Sequence, residues 1–228
     1  MPVCLQGGAE FGSRCREMDA RLLELAGGGR VVVTALAGAP GREYDTAGRN
    51  GVRHFGELGA DDVVSAPDAR SDEDAAYAAC SGADLLVLPG GSPARLLQAL
   101  TTTRVGSAVG EVLARGGVVM GASAGAMVLC AWTVLPEHGP RLAQGLGTVP
   151  NALVLPHHSP GSGGRWLGSL DGQLPADVVV LGLPEQSGVL LDGDTVTALG
   201  DRPTSLLGAA SGELAVGTST TLPGVALG

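Results

Sequence analysis

The run Val118-Val119-Met120-Gly121-Ala122-Ser123-Ala124-Gly125-Ala126-Met127 joins an apolar strand pattern to a small-residue helix pattern through G-x-S-x-G. That spacing suits a nucleophile elbow, in which a sharp strand-to-helix turn lifts the serine hydroxyl clear of its own backbone for attack on a carbonyl carbon. Gly121 and Gly125 leave out the side chains that would collide across such a turn. A helix starting near Ala124 would aim free N–H groups at the space where an oxyanion forms. The same letters also fit a plain Gly/Ala-rich connection whose serine only caps the helix. Ser123 therefore needs partners before it implies chemistry.

A serine is a weak nucleophile at neutral pH, so it needs a base, and the base needs a group to orient it. The chain has four histidines. His54 lies in a helical pattern beside Phe55, and His138 lies in an irregular stretch; both read as structural or solvated. His157 and His158 follow the strand pattern Ala152 to Leu155 through Pro156. They stand just past the carboxyl end of a strand, where open α/β sheets hold their sites. Glu185, in Gly182-Leu183-Pro184-Glu185-Gln186-Ser187, follows Val178 to Leu183 in the same way. A glutamate there can accept the second N–H of an imidazole and fix its tautomer. Leu85-Leu86-Val87-Leu88-Pro89-Gly90-Gly91-Ser92-Pro93 is a buried-strand pattern running through two glycines into a helix with Pro93 near its first turn. The N–H groups of Gly91 and Ala124 are the expected oxyanion donors. A phosphate loop is excluded, because the chain lacks G-x-x-x-x-G-K-[ST] and has no lysine.

Positioning these residues at one edge requires a parallel sheet covered by helices, and the chain alternates in that rhythm. Strands are expected at Val3 to Gln6, Arg30 to Ala37, Asp62 to Ser65, Asp84 to Leu88, Val118 to Gly121, Ala152 to Leu155 and Val178 to Leu183. Helices are expected over Arg14 to Ala26, Ala47 to Leu58, Asp72 to Cys80, Ala94 to Leu100 and Val105 to Arg115. Val189 to Leu199 reads as a hairpin around Asp192-Gly193 that adds antiparallel strands to one edge. The segment Pro136 to Val149 is the least regular, and Ser211 to Gly228 is weakly patterned, as a loosely ordered tail would be.

Composition narrows the function. The 228 residues suit a single domain, 1–228, with ample core. The formal charge is −9, all 14 basic residues are arginine, and aromatics make up 3%, which gives no phosphate-binding face and no stacking platform for nucleic acid. The longest apolar stretch, Val118 to Trp132, falls short of the roughly 20 residues that a bilayer demands. The N-terminus shows no basic and apolar leader pattern, and Cys4, Cys15, Cys80 and Cys130 form no C-x-x-C pair. These features imply a cytoplasmic protein with reduced thiols, no membrane segment and no metal.

The order of motifs, strand-Gly-Gly-helix, then Gly121-Ala122-Ser123-Ala124-Gly125-Ala126, then Pro156-His157, then Gly182-Leu183-Pro184-Glu185 before a terminal hairpin, resembles the S51 serine peptidases, which include dipeptidase E and cyanophycinase. The resemblance runs from Val3-Cys4-Leu5-Gln6-Gly7-Gly8 to about Gly200. It implies a three-layer α/β fold similar to class I glutamine amidotransferases and flavodoxin-like proteins: a mostly parallel sheet flanked by helices, with a C-terminal hairpin. It implies Ser123 as nucleophile and Glu185 as acid. His157 is implied as the base because members place an aromatic residue after the catalytic histidine, and His158 fills that place. Arg165, in Gly163-Gly164-Arg165-Trp166-Leu167, resembles an arginine of the cyanophycinase branch. Ser92-Pro93 departs from the residues that usually follow the Gly-Gly pair, so contacts to the substrate's amino end are expected to differ; Ser92, His158 and Arg165 are the expected substrate-binding residues. The order Ser, His, Glu also differs from α/β-hydrolases, where the acid precedes the histidine.

The resulting expectation is a serine peptidase that acts on dipeptides or small peptide-like amides without any cofactor. Arg95, Arg141 and Arg165 are candidates for an acidic substrate group. An esterase or amidase on the same residues, and a non-catalytic scaffold of the same fold, stay open, as does a homodimer.

Overall fold

The computed structural model describes residues 1–137, 139–159, 168–170 and 172–227. Five short runs rich in Val and Leu form its parallel strands: β1 (Val3–Gln6), β2 (Val31–Val33), β3 (Val63–Ser65), β4 (Leu85–Leu88) and β5 (Val118–Ala122). Their side chains alternate between two cores. Val3, Leu5, Val32, Leu86, Leu88 and Val119 face one side, whereas Cys4, Val31, Val33, Leu85, Val87 and Met120 face the other. Burial on both faces explains why β1, β2, β4 and β5 read as continuous apolar runs.

Helices cover both faces. α1 (Arg16–Leu25), with Met18, Leu22 and Leu23, and Phe55 of α2 (Arg42–Glu57) close one core. α3 (Glu73–Ser81), α4 (Pro93–Thr102), α5 (Val105–Ala114) and the short α6 (Ala124–Leu129) close the other. Asp72 accepts from Ala75 N–H, and Ser92 from Arg95 N–H, so α3 and α4 begin at side-chain caps.

β1 holds the centre of an eight-stranded sheet. It pairs in parallel with β5 and antiparallel with β10 (Ser187–Asp192), which continues to β11 (Thr195–Gly200) and β14 (Ser219–Thr221). The β10–β11 hairpin turns at Gly193-Asp194, with Gly193 at φ 59°. A second sheet packs beyond α6, in the order β13 (Gly212–Leu214), β12 (Thr204–Gly208), β9 (Val179–Gly182), β8 (Val149–Leu155), β6 (Cys130–Leu135), β7 (Arg141–Gln144).

Three differences from the sequence reading have physical causes. β2 stops at Val33 rather than Ala37, because the chain turns at Ala35 to Gly38 to lead into α2. α2 begins at Arg42, five residues earlier than its apolar pattern, since its first turn is largely solvent-facing. The strands of Pro136 to Val149 and of Ser211 to Gly228 lie at sheet edges and carry few buried apolar side chains, so their alternation is faint in the sequence. Among the described residues, no helix is long and apolar enough to cross a membrane.

Candidate active site

The carboxyl ends of β1, β4 and β5 lie side by side, and each leads into a tight turn containing glycine. At the end of β5 the chain reverses through Ser123, whose backbone sits at φ 48°, ψ −108°. A non-glycine residue in that region carries strain of about 1–3 kcal/mol, which the flanking packing must hold. The flanking glycines make that packing possible. A Cβ at Gly121 would stand 2.5 Å from the Gly125 carbonyl carbon, and one at Gly125 would overlap the Leu88 carbonyl oxygen.

β8 and β9 of the second sheet deliver the partners. His157 follows β8 with φ 51°, and Glu185 follows β9. His157 Nε2 lies 3.0 Å from Ser123 Oγ, and His157 Nδ1 lies 2.9 Å from Glu185 Oε1. With Nδ1–H donating to the carboxylate, the Nε2 lone pair faces the serine hydroxyl, which then donates to it. The His157 and Glu185 side chains are 51% and 52% exposed, so this row lies open to solvent along one side.

The N–H groups of Gly91 and Ala124 take part in no backbone hydrogen bond among the described residues. Gly91 requires its own residue type: at φ 144°, an added Cβ would press on the Ala37 backbone. Gly90 N–H is already taken, donating to Glu10 Oε1 at 2.7 Å.

Other expected residues sit differently. Ser92 Oγ caps α4 and donates to Glu137 Oε1 at 2.7 Å, so its hydroxyl has structural partners. Arg95 donates to the Ala37 carbonyl and pairs with Glu43. Arg141 lines a cavity of about 750 Å³ together with Ala94, Leu135, Glu137 and Gln173. Arg165 and His138 lie outside the described residues. All four cysteines are free and buried. Burial pushes the Cys15 and Cys80 thiols up to about 12 and those of Cys4 and Cys130 higher still, which leaves none of them a thiolate at neutral pH. Among the described residues, no group of His, Cys, Asp and Glu is placed to hold a metal ion.

His158 is 7% exposed, with its backbone N–H donating to the Leu183 carbonyl and its ring over Gly182. Burial holds its proton affinity below the ordinary value near 6.5. The unfolded chain then binds the proton more tightly, so the stability tied to neutral His158 is complete above about pH 6.5 and is lost as the pH falls below it. Replacing His158 with Phe is expected to make melting temperature fall less steeply than in wild type between about pH 7.5 and about pH 5.5. Parallel melting curves across that range would rule out this contribution.

One feature escaped the motif reading. The end of β1 touches every part of the site: the Gln6 carbonyl accepts from Ser123 N–H at 2.9 Å, the Gly7 carbonyl from His157 N–H at 2.8 Å, and the Gly8 carbonyl from Gln186 N–H at 2.9 Å. Gly8, at φ 122°, lies directly under the His157 ring, which leaves no room for a Cβ. The sequence signal was present, because Gly7-Gly8 follows β1 just as Gly90-Gly91 follows β4.

Comparison with known proteins agrees with this architecture. The model of Peptidase family S51 matches residues 11–199. A crystal structure of a peptidase from an acI-B1 actinobacterium is 24% identical and superposes with a TM-score of 0.81 over 97% of this chain and 96% of that one. A peptidase E-type protein from Listeria monocytogenes EGD-e is 16% identical, with a TM-score of 0.63 over 88% of this chain and 98% of its own. At these identities the likeness is one of fold. No curated protein matches the chain.

Proposed function

The chain belongs to peptidase family S51, and from that premise we propose that it hydrolyses dipeptides or small peptide-like amides with Ser123 as nucleophile, His157 as base and Glu185 as its orienting acid. The observation that carries this reading is the unbroken row Glu185 Oε1, His157 Nδ1, His157 Nε2 and Ser123 Oγ at 2.9 and 3.0 Å. Ser123 Oγ attacks the amide carbon while its proton passes to His157 Nε2. The resulting oxyanion lies against the N–H groups of Gly91 and Ala124, and Glu185 offsets the charge of the imidazolium. His157 then gives the proton to the departing amine, leaving an acyl-serine. A water molecule, deprotonated by His157, releases the acid and restores the serine. No cofactor enters any of these steps.

The substrate class is tested by incubation with a dipeptide library that includes N-terminal Asp and β-aspartyl members, read by mass. Cleavage that disappears in Ser123→Ala supports the reading. Turnover of an activated ester with no peptide cleaved would favour an esterase instead.

Glu185→Gln separates orientation from folding. The amide keeps the shape but presents the wrong hydrogen-bonding partner to Nδ1–H, so turnover is expected to fall by roughly 10² to 10⁴ with little change in melting temperature. Asp177, Asp192 and Asp194 are the competing acids. Asp192 and Asp194 flank the hairpin turn at the far end of β10, and Asp177 precedes β9 at its amino end. Near wild-type turnover in Glu185→Gln, with loss on replacing one of these aspartates, would reassign the acid.

A further inference from the structure

Behind the site, in the core on the α1 side of the sheet, lies a buried polar cluster that the proposed chemistry does not use. Asp19 on α1 is fully buried and accepts from Gln6 Nε2 at 2.6 Å through Oδ1, while its Oδ2 lies 2.7 Å from His54 Nε2 on α2. His54 is 3% exposed and stands between Phe11 and Phe55, with ring centroids 5.5 and 5.4 Å away. Gln6 is fully buried as well, and its Oε1 has no partner among the described residues.

Stability alone does not account for this arrangement. A buried ion pair is commonly no better than well-packed apolar side chains of similar volume, and an orphaned buried carbonyl is a cost with no return in packing. What the cluster does have is a location. Gln6 is the last residue of β1; its side chain is held by Asp19, and its backbone carbonyl holds Ser123 N–H. The next two residues, Gly7 and Gly8, support His157 and the segment that carries Glu185. Unlike apolar contacts, the directional bond from the Gln6 amide to a carboxylate fixed by α1 and α2 permits one position of the strand end.

We propose that Gln6, Asp19 and His54 form a positioning network that sets Ser123 against His157 through the end of β1. The proposal rests on the assignment of Ser123 and His157 as nucleophile and base. A displacement of about 1 Å in such a pair can cost on the order of 10²-fold in rate. The three side chains bond to one another, and the link to Ser123 runs through the Gln6 backbone carbonyl.

The test follows covalent labelling of Ser123 by a fluorophosphonate, which requires no knowledge of the natural substrate. Gln6→Met is expected to slow the maximal labelling rate about 10- to 100-fold while the half-saturating probe concentration stays within about twofold. Gln6→Met/Asp19→Leu/His54→Leu removes every polar side chain of the cluster at once and is expected to melt at or above the wild-type temperature while labelling as slowly as Gln6→Met. A purely structural cluster would leave the maximal labelling rate unchanged in both folded variants, whatever their melting temperatures. A wild-type labelling rate in either folded variant, with Ser123→Ala unlabelled, overturns the positioning role and leaves the nucleophile standing. Undiminished labelling of Ser123→Ala would remove both readings.

Discussion

Ser123→Ala is expected to abolish covalent labelling by a fluorophosphonate and to lower turnover by roughly 10⁴ to 10⁶. Only an activated hydroxyl attacks such a phosphorus centre at neutral pH, and the proposed base is in place to activate this one: Ser123 Oγ lies 3.0 Å from His157 Nε2. The methyl of alanine fits the elbow without new contacts, so the melting temperature should change little. Equal labelling of wild type and variant, read by mass on the intact protein, would refute the assignment.

The second large effect separates two adjacent imidazoles. His157→Ala is expected to cost nearly as much as the loss of Ser123, because nucleophile and base act as one unit. His158→Phe is expected to keep much of the activity, since that ring is buried over Gly182 and it is His157 that lies within hydrogen-bonding distance of both Ser123 and Glu185. Turnover measured at saturating substrate decides the matter. If His158→Phe is dead and His157→Ala active, the base has been assigned one residue too early.

Much of this was written in local chemistry. A strand buried on both faces reads as a nearly continuous apolar run rather than an alternation, so β1, β4 and β5 were legible directly from Val3 to Gln6, Leu85 to Leu88 and Val118 to Ala122. The elbow was legible for a related reason: a reversal that brings Gly121 against Gly125 tolerates no side chain at either position. The edge strands β7, β13 and β14 were not legible, because a half-exposed strand of three or four residues imposes too little pattern to stand out.

By itself, then, the sequence determined the kinds of group available and the strand ends on which they ride: a serine at an elbow, a histidine pair after β8, a glutamate after β9, and glycine pairs after β1 and β4. Tertiary structure alone decided which groups meet. It placed a second sheet beyond α6, so that the ends of β8 and β9 reach the end of β5, and it brought His157 rather than His158 to Ser123. It also joined Gln6, Asp19 and His54, which lie on three elements, with Asp19 and His54 35 positions apart in the chain. The reason is physical: periodicity reports how one segment meets solvent and core, whereas a hydrogen bond between distant segments depends on strand order and on a backbone turn of one residue, neither of which leaves a local pattern.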